Sequence, residues 1–207
     1  MSGSKYWDEF YANRNQLVPA QPSSFASFVD GKINGAFELL ELGCGNGRDF
    51  SLLHRRAKRA VGLDASRSAV AECELRYPRA TFIVGSCSEV AQVIAGHFQS
   101  SERLLIYSRF LLHAINDETR ETLLSGLISA SNKNLIVALE YRINGNLEPN
   151  IVFNTHDRFQ VDHDAVLKSL IRSGFRIDYE ITSRGLAVFR EEDPLIGRVI
   201  ATKSTIE

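Results

Sequence analysis

One segment restricts the possible folds of this chain more than any other. Residues Phe37–Leu42 form a short apolar run that leads directly into Glu41-Leu42-Gly43-Cys44-Gly45-Asn46-Gly47. A buried strand that ends in clustered glycines enters a tight loop, because glycine lacks Cβ and tolerates positive φ. Residues 48–57 then place Phe50, Leu53 and Ala57 at helical spacing, and a second apolar run over 60–63 ends at Asp64. This is a β-α-β unit, and such units build parallel sheets.

The alternation continues along the chain. The pattern predicts a helix over Arg67–Arg76, a strand over Thr81–Val84, a helix over 88–98 and a strand over 104–107. Asp117 is placed to cap a helix through Leu123, Leu124 and Leu127, and residues 134–140 read as a fifth strand. Asp162 can cap a helix carrying Val166, Leu167, Leu170 and Ile171, which stops near Gly174. Runs over 175–182 and 186–190, separated by Ser183, Arg184 and Gly185, predict a closing antiparallel hairpin. With 207 residues and no linker or repeat, one structural domain is expected.

Composition narrows the classes further. Hydrophobic residues make up 44% and charged residues 24%, as in ordinary globular proteins. The net charge of -1 leaves no global field to draw in nucleic acid or an anionic membrane. Cys44, Cys73 and Cys87 lack the spacing of a disulfide framework or zinc site, so no metal is expected. The start MSGSKYWDEF has no apolar leader core, and no apolar run approaches the length of a span; a cytoplasmic protein is expected.

The glycine loop departs from the dinucleotide pattern G-x-G-x-x-G, which would need glycine where Arg48 stands. A nicotinamide cofactor is therefore disfavoured. The loop's E-x-G-x-G-x-G spacing, continued by Arg48 and Asp49, resembles motif I of the class I S-adenosylmethionine-dependent methyltransferases. Tyr107-Ser108-Arg109-Phe110 with Leu112-His113-Ala114-Ile115 resembles motif IV of the same superfamily. The planar-nitrogen signature Asn-Pro-Pro-Tyr is absent there. The resemblance implies a Rossmann-like three-layer α/β sandwich with a mostly parallel seven-stranded sheet and a C-terminal antiparallel hairpin. Within the single domain, residues 1–35 would be an aromatic lid segment and 36–207 the methyltransferase domain. The motifs YSRFLLHAI, EYR, HDRF and RGLAVF look closest to small bacterial methyltransferases encoded with surface-polysaccharide genes.

The implied cofactor is S-adenosylmethionine. Asp64 can accept both hydroxyl hydrogen bonds of an adenosine ribose, although alone it would equally serve as a helix cap. Glu41, Gly43, Cys44, Gly45 and Gly47 would face the methionine part, and Ala65 and Ser108 are further candidate cofactor contacts. Ser86 and Cys87 stand where the family often has an acidic residue for adenine. Trp7 and Tyr11 resemble a lid over the cofactor, with packing into the core as the alternative.

Three residues at strand ends are catalytic candidates: His113, Tyr107 and Glu140. Histidine has the right titration range for a base, but a structural or cofactor-supporting role is favoured for His113. Arg109, Arg142, His156, Arg158 and Arg184 are the candidate acceptor-binding residues, since arginine matches carboxylate and phosphate oxygens in two-point geometry. Glu140 is the expected internal partner of Arg142, and Arg109 and Arg158 have no evident local partner. The expected activity is methylation, by preference on oxygen, of a small anionic acceptor or glycan. An RNA methyltransferase would need the basic run 54–59 to face the methyl site, but that run lies at a helix end opposite the expected crevice. A cofactor-binding accessory protein without turnover is the remaining alternative, and oligomeric state is open.

Overall fold

The computed structural model describes residues 3–13, 19, 21–128, 134–143 and 158–204. Seven strands form one sheet: β1 (Phe37–Leu42), β2 (Ala57–Asp64), β3 (Thr81–Val84), β4 (Arg103–Arg109), β5 (Asn134–Arg142), β6 (Arg176–Ser183) and β7 (Ile196–Lys203). Their order is β3-β2-β1-β4-β5-β7-β6, with β7 antiparallel to both neighbours and the first five strands parallel. The helices are α1 (Gly3–Ala12), α2 (Ser24–Lys32), α3 (Phe50–Leu53), α4 (Arg67–Arg76), α5 (Val90–His97), α6 (Asp117–Ile128) and α7 (His163–Arg172).

Strand periodicity divides the core into two layers. Along β1, Leu40 and Leu42 join one cluster with Val93 and Ile94 of α5, Leu123 and Leu127 of α6, and Val166 and Leu170 of α7. Phe37 and Leu39 point the other way, toward Phe25 and Val29 of α2, Leu53 of α3 and Cys73 of α4. The central strands are covered on both faces, which is why they read as continuous apolar runs. The result is the three-layer α/β sandwich expected from the alternation.

Local chemistry sets most boundaries. Ser66 caps α4 by accepting from Ala69 N, and Asp162 caps α7 by accepting from Ala165 N. Gly174, at φ +82°, ends α7. Asn116, rather than Asp117, caps α6: its side chain accepts the Thr119 N–H at 2.9 Å, and Asp117 is the first helical residue. The helix expected over 48–57 is limited to α3, because the chain has already entered β2 at Ala57.

The C-terminal hairpin differs most from expectation. Its strands are β6 and β7, so the second strand lies well beyond 186–190. Residues 184–195 instead form a loop, closed on itself by paired backbone hydrogen bonds between Phe189 and Glu192. The segment 1–35 also divides into unlike parts. Phe25, Ala26 and Val29 of α2 are fully buried in the core, whereas α1 packs against α4.

Candidate active site

Strand order reverses between β1 and β4, and in open α/β sheets ligands bind beyond the carboxyl ends of strands at such a switch point. The glycine loop opens there. Gly43 N and Cys44 N both donate to Leu63 O, at 2.8 and 3.3 Å, which ties the loop to the end of β2. Gly45 has φ +52° and lies directly beneath the Tyr11 hydroxyl, so any Cβ there would collide with the phenol. Its amide donates to Asp64 Oδ2 at 2.8 Å, and Ser66 N donates to Asp64 Oδ1 at 2.9 Å. Each carboxylate oxygen therefore keeps a lone pair for a further donor. Burial raises the Asp64 carboxyl above its ordinary range, against the effect of these hydrogen bonds.

Glu41 is 4% exposed and lines the same space. Among the described residues its Oε2 has no hydrogen-bond partner, and burial first, then the nearby Asp49, pushes its carboxyl well up. A buried carboxylate in this position favours a cationic ligand, which would restore the charged form.

Helix α1 packs on α4 beside this space. Asp8 Oδ1 accepts from Ser66 Oγ at 3.1 Å and from Ser68 N at 2.8 Å, so α1 supplies a second carboxylate to the N-terminus of α4. These bonds, the Ser68 amide foremost, hold the Asp8 carboxyl below its usual range. Tyr6, Trp7, Phe10 and Tyr11 all line the cavity beneath.

That cavity has a volume of about 1270 Å³. Sites for single small ligands occupy roughly 300 to 1000 Å³, so there is room for a second molecule. One end is lined by Glu41, Gly43, Cys44, Gly45, Asp64, Ala65, Ser86 and Cys87. Ser86 Oγ accepts from Ser88 N at 3.2 Å, and burial pushes the Cys87 thiol up to about 11. The other end is walled by Arg109, Arg142 and Arg158 with His113, Phe110 and Phe159.

The arginines are neutralised differently from the expected scheme. Glu140 is not the partner of Arg142. Its side chain is fully buried and accepts from Arg109 Nε through one oxygen and Arg198 Nε through the other, each at 2.6 Å. Arg142 is bound by Glu192, which is 2% exposed and reaches the site from the 184–195 loop. Arg158 is 6% exposed. Burial, then the neighbouring Arg142, lowers its guanidinium to about 10, opposed by Glu192. Arg198 also donates to Ser24 Oγ at 2.8 Å and Leu186 O at 2.9 Å, fixing the loop over the cavity.

Not every candidate faces this space. Tyr107 is fully buried outside it, and its hydroxyl donates to Asp49 Oδ2 at 2.6 Å. Ser108 Oγ donates to Leu42 O at 3.0 Å, and Gly47, at φ +75°, shapes the loop; neither lines the cavity. Arg184 is also outside, binding the Asp193 carbonyl on the loop surface. His156 lies outside the described residues. His113 is in the wall, and its Nδ1 accepts the backbone N–H of Arg142 at 3.2 Å, which places the ring proton on Nε2.

Phe110, Glu192 and the loop residues Gly185, Leu186, Ala187, Val188 and Phe189 complete the wall, and none of these was expected from the sequence. Phe110 is held at φ +61° with its ring 3.9 Å from the Arg109 guanidinium. A left-handed bulky residue is uncommon, and no feature of the sequence signals it.

Residues 39–133 match the family model described as a methyltransferase domain. Over this stretch the chain is similar to methyltransferase domains. No curated protein matches it. A methyltransferase from Anabaena variabilis, described as dependent on S-adenosylmethionine, superimposes with a TM-score of 0.73 at 16% identity, covering 97% of this chain and 93% of that one. The 1,6-didemethyltoxoflavin N1-methyltransferase of Burkholderia thailandensis, with bound 1,6-didemethyltoxoflavin and S-adenosylhomocysteine, gives 0.68 at 11% identity over 98% and 87%. The cyclase SpnF gives 0.65 at 13% identity over 92% and 86%. At such identities the likeness is one of fold, and the fold serves unlike chemistries.

The residues present fit S-adenosylmethionine as a ligand. Asp64 keeps acceptor capacity for ribose hydroxyls, Glu41 offers a buried carboxylate to an ammonium group, and Gly45, without a Cβ, lets the loop lie close under Tyr11.

Proposed function

We propose that the chain is an S-adenosylmethionine-dependent methyltransferase acting on a small acceptor bearing a negative charge, that its cofactor lies between Glu41 and Cys87, and that the acceptor lies against Arg109, Arg142 and Arg158. The observation that carries this reading is the continuity of one cavity from the glycine loop and Asp64 to the three arginines. When bound, S-adenosylmethionine supplies an electrophilic methyl group on a sulfonium centre. The chain's own work is then placement, since an in-line displacement gains most from holding the nucleophile near the methyl carbon.

In this scheme Asp64 and Glu41 hold the cofactor, and α1 excludes water above it. Two arginines share the single carboxylate of Glu140, which leaves positive charge at the acceptor end. His113 orients the Arg142 backbone and presents Nε2–H as a donor. Oxygen is the favoured methylated atom because guanidinium groups select oxyanions.

The RNA reading finds less support. In the basic run Arg56 pairs with Asp30 at 3.0 Å and Arg59 with Glu38 at 3.3 Å, and neither lines the cavity. The narrower link to surface-polysaccharide synthesis rests on short motifs alone, and the proposal does not use it. A cytoplasmic location accords with three free, buried cysteines and with the lack, among the described residues, of a helix long and apolar enough to cross a membrane.

Incubation of the purified chain with methyl-labelled S-adenosylmethionine and pools of organic acids, sugar phosphates and nucleotide sugars tests the proposal. Label should pass to an anionic acceptor. Binding of cofactor without transfer to any pool would favour an accessory protein, and transfer to RNA alone would overturn the assignment.

A further inference from the structure

The acceptor end of the cavity is rich in donors and aromatic surface, while among the described residues the acid-base groups in or beside it are already engaged. Deprotonation of a hydroxyl acceptor requires an acceptor atom within hydrogen-bond reach of the reacting oxygen. His113 Nδ1 is occupied by the Arg142 amide, so Nε2 is a donor. Both oxygens of Glu140 are bound to guanidinium groups, and Glu192 is bound to Arg142. Taking up a proton, either carboxylate would lose its charge and weaken a charge-assisted hydrogen bond inside the protein. A nucleophile that arrives as an anion removes this requirement.

The same wall selects the body of the ligand. Phe110 lies 3.9 Å from the Arg109 guanidinium and 5.4 Å from that of Arg142, presenting a ring beside two cations. Trp7, Phe10, Phe159 and Val188 extend this apolar surface around the cavity. Ligands that combine a planar or apolar body with one oxyanion satisfy both features.

We infer that the acceptor is a carboxylic acid with an aromatic or other apolar body, and that the reaction is methyl ester formation. The inference rests on the functional reading above and adds the chemical class of the acceptor. A carboxylate oxygen lone pair forms the new O–CH3 bond as the S–CH3 bond breaks, and its electron pair stays on sulfur. The products are a neutral ester and neutral S-adenosylhomocysteine, with no proton transferred. Arg158 and Arg142 position the acid, and Phe110 supports its body.

The test pairs acids with uncharged isosteres: cinnamate with cinnamamide, and indole-3-acetate with its amide. Calorimetry on the full chain saturated with S-adenosylhomocysteine should show each acid binding at least about tenfold more tightly than its amide. Arg158→Met should reduce that preference about tenfold, and Arg158→Lys should restore part of it. With labelled S-adenosylmethionine the acids should gain label that alkali releases as methanol. The rate should stay flat between about pH 6.5 and 8.5, because carboxylates near pKa 4 are ionised throughout. Equal binding of acid and amide, alkali-stable label, no labelled acid at all, or a rate rising about tenfold per pH unit would each overturn ester formation. Failure of S-adenosylhomocysteine itself to bind would overturn the functional reading beneath it.

Discussion

Tyr107 shows how a residue at a strand end can be wrongly aimed by sequence reasoning. Strand alternation places its ring with Leu105 in the α2–α3 layer, stacked 5.4 Å from Phe25, and its hydroxyl on Asp49. Burial raises its phenol well above the ordinary range, with Asp49 adding to the effect. Tyr107→Phe should therefore cost about 2 kcal/mol of stability through a lost bond to a charged group, with turnover unchanged within about twofold. Denaturant unfolding and initial rates check this, and a hundredfold fall in rate would place the phenol in the reaction. His113→Ala should remove the acceptor for the Arg142 amide and cost about 1 to 3 kcal/mol. Turnover loss should come mainly through a raised Michaelis constant, and a pure kcat loss at intact stability would restore the general-base reading. The arginine partners were beyond sequence reading for a plain reason: Glu140 meets Arg198 across 58 positions and Arg142 meets Glu192 across 50. Local spacing, which suggested Glu140 with Arg142, could not see either contact.

Among the elements, α1 and the 184–195 loop both line the cavity, and the sequence pointed to them unequally. The aromatic residues of α1 resembled a lid or a core-packing stripe, and Trp7 and Tyr11 line the cavity. Its attachment through Asp8 to α4 had no signature, because the bond joins positions 58 and 60 apart. Asp8 has a depressed carboxyl in the folded chain, so its contribution is present above the ordinary carboxylate value near pH 4 and is lost as pH falls through the folded value. The lid should thus stay docked at neutral pH and release in strong acid. Trp7, the chain's one tryptophan, reports on this. Its fluorescence should shift in acid with a midpoint below about pH 4, and Asp8→Asn should produce part of that shift at pH 7. A fluorescence unchanged by the substitution would show that Asp8 does not hold the lid. The RGLAVF stretch does not form a strand, and its backbone is engaged elsewhere: Leu186 O accepts from the Ser24 and Arg198 side chains.

At the scale of the molecule, the parallel core was legible because its strands are buried on both faces and each is punctuated by a cap or glycine. β1, β3 and α4 fall at the expected residues, and the glycine loop with Asp64 forms one end of the cavity. The antiparallel end was legible only in kind, since a 12-residue connection over 184–195 leaves no tight-turn signature. What no strand pattern could convey is that the arginine wall and the glycine loop share one cavity of about 1270 Å³. That continuity is the basis of the proposed methyl transfer, and Asp64 is the residue on which it turns. Isothermal titration of the full chain with S-adenosylhomocysteine tests it most directly. We predict one site per chain, weakened by about 1 to 3 kcal/mol in Asp64→Ala through loss of charged hydrogen bonds to the ribose. No binding to the native chain, or an affinity unchanged by Asp64→Ala, would contradict the account.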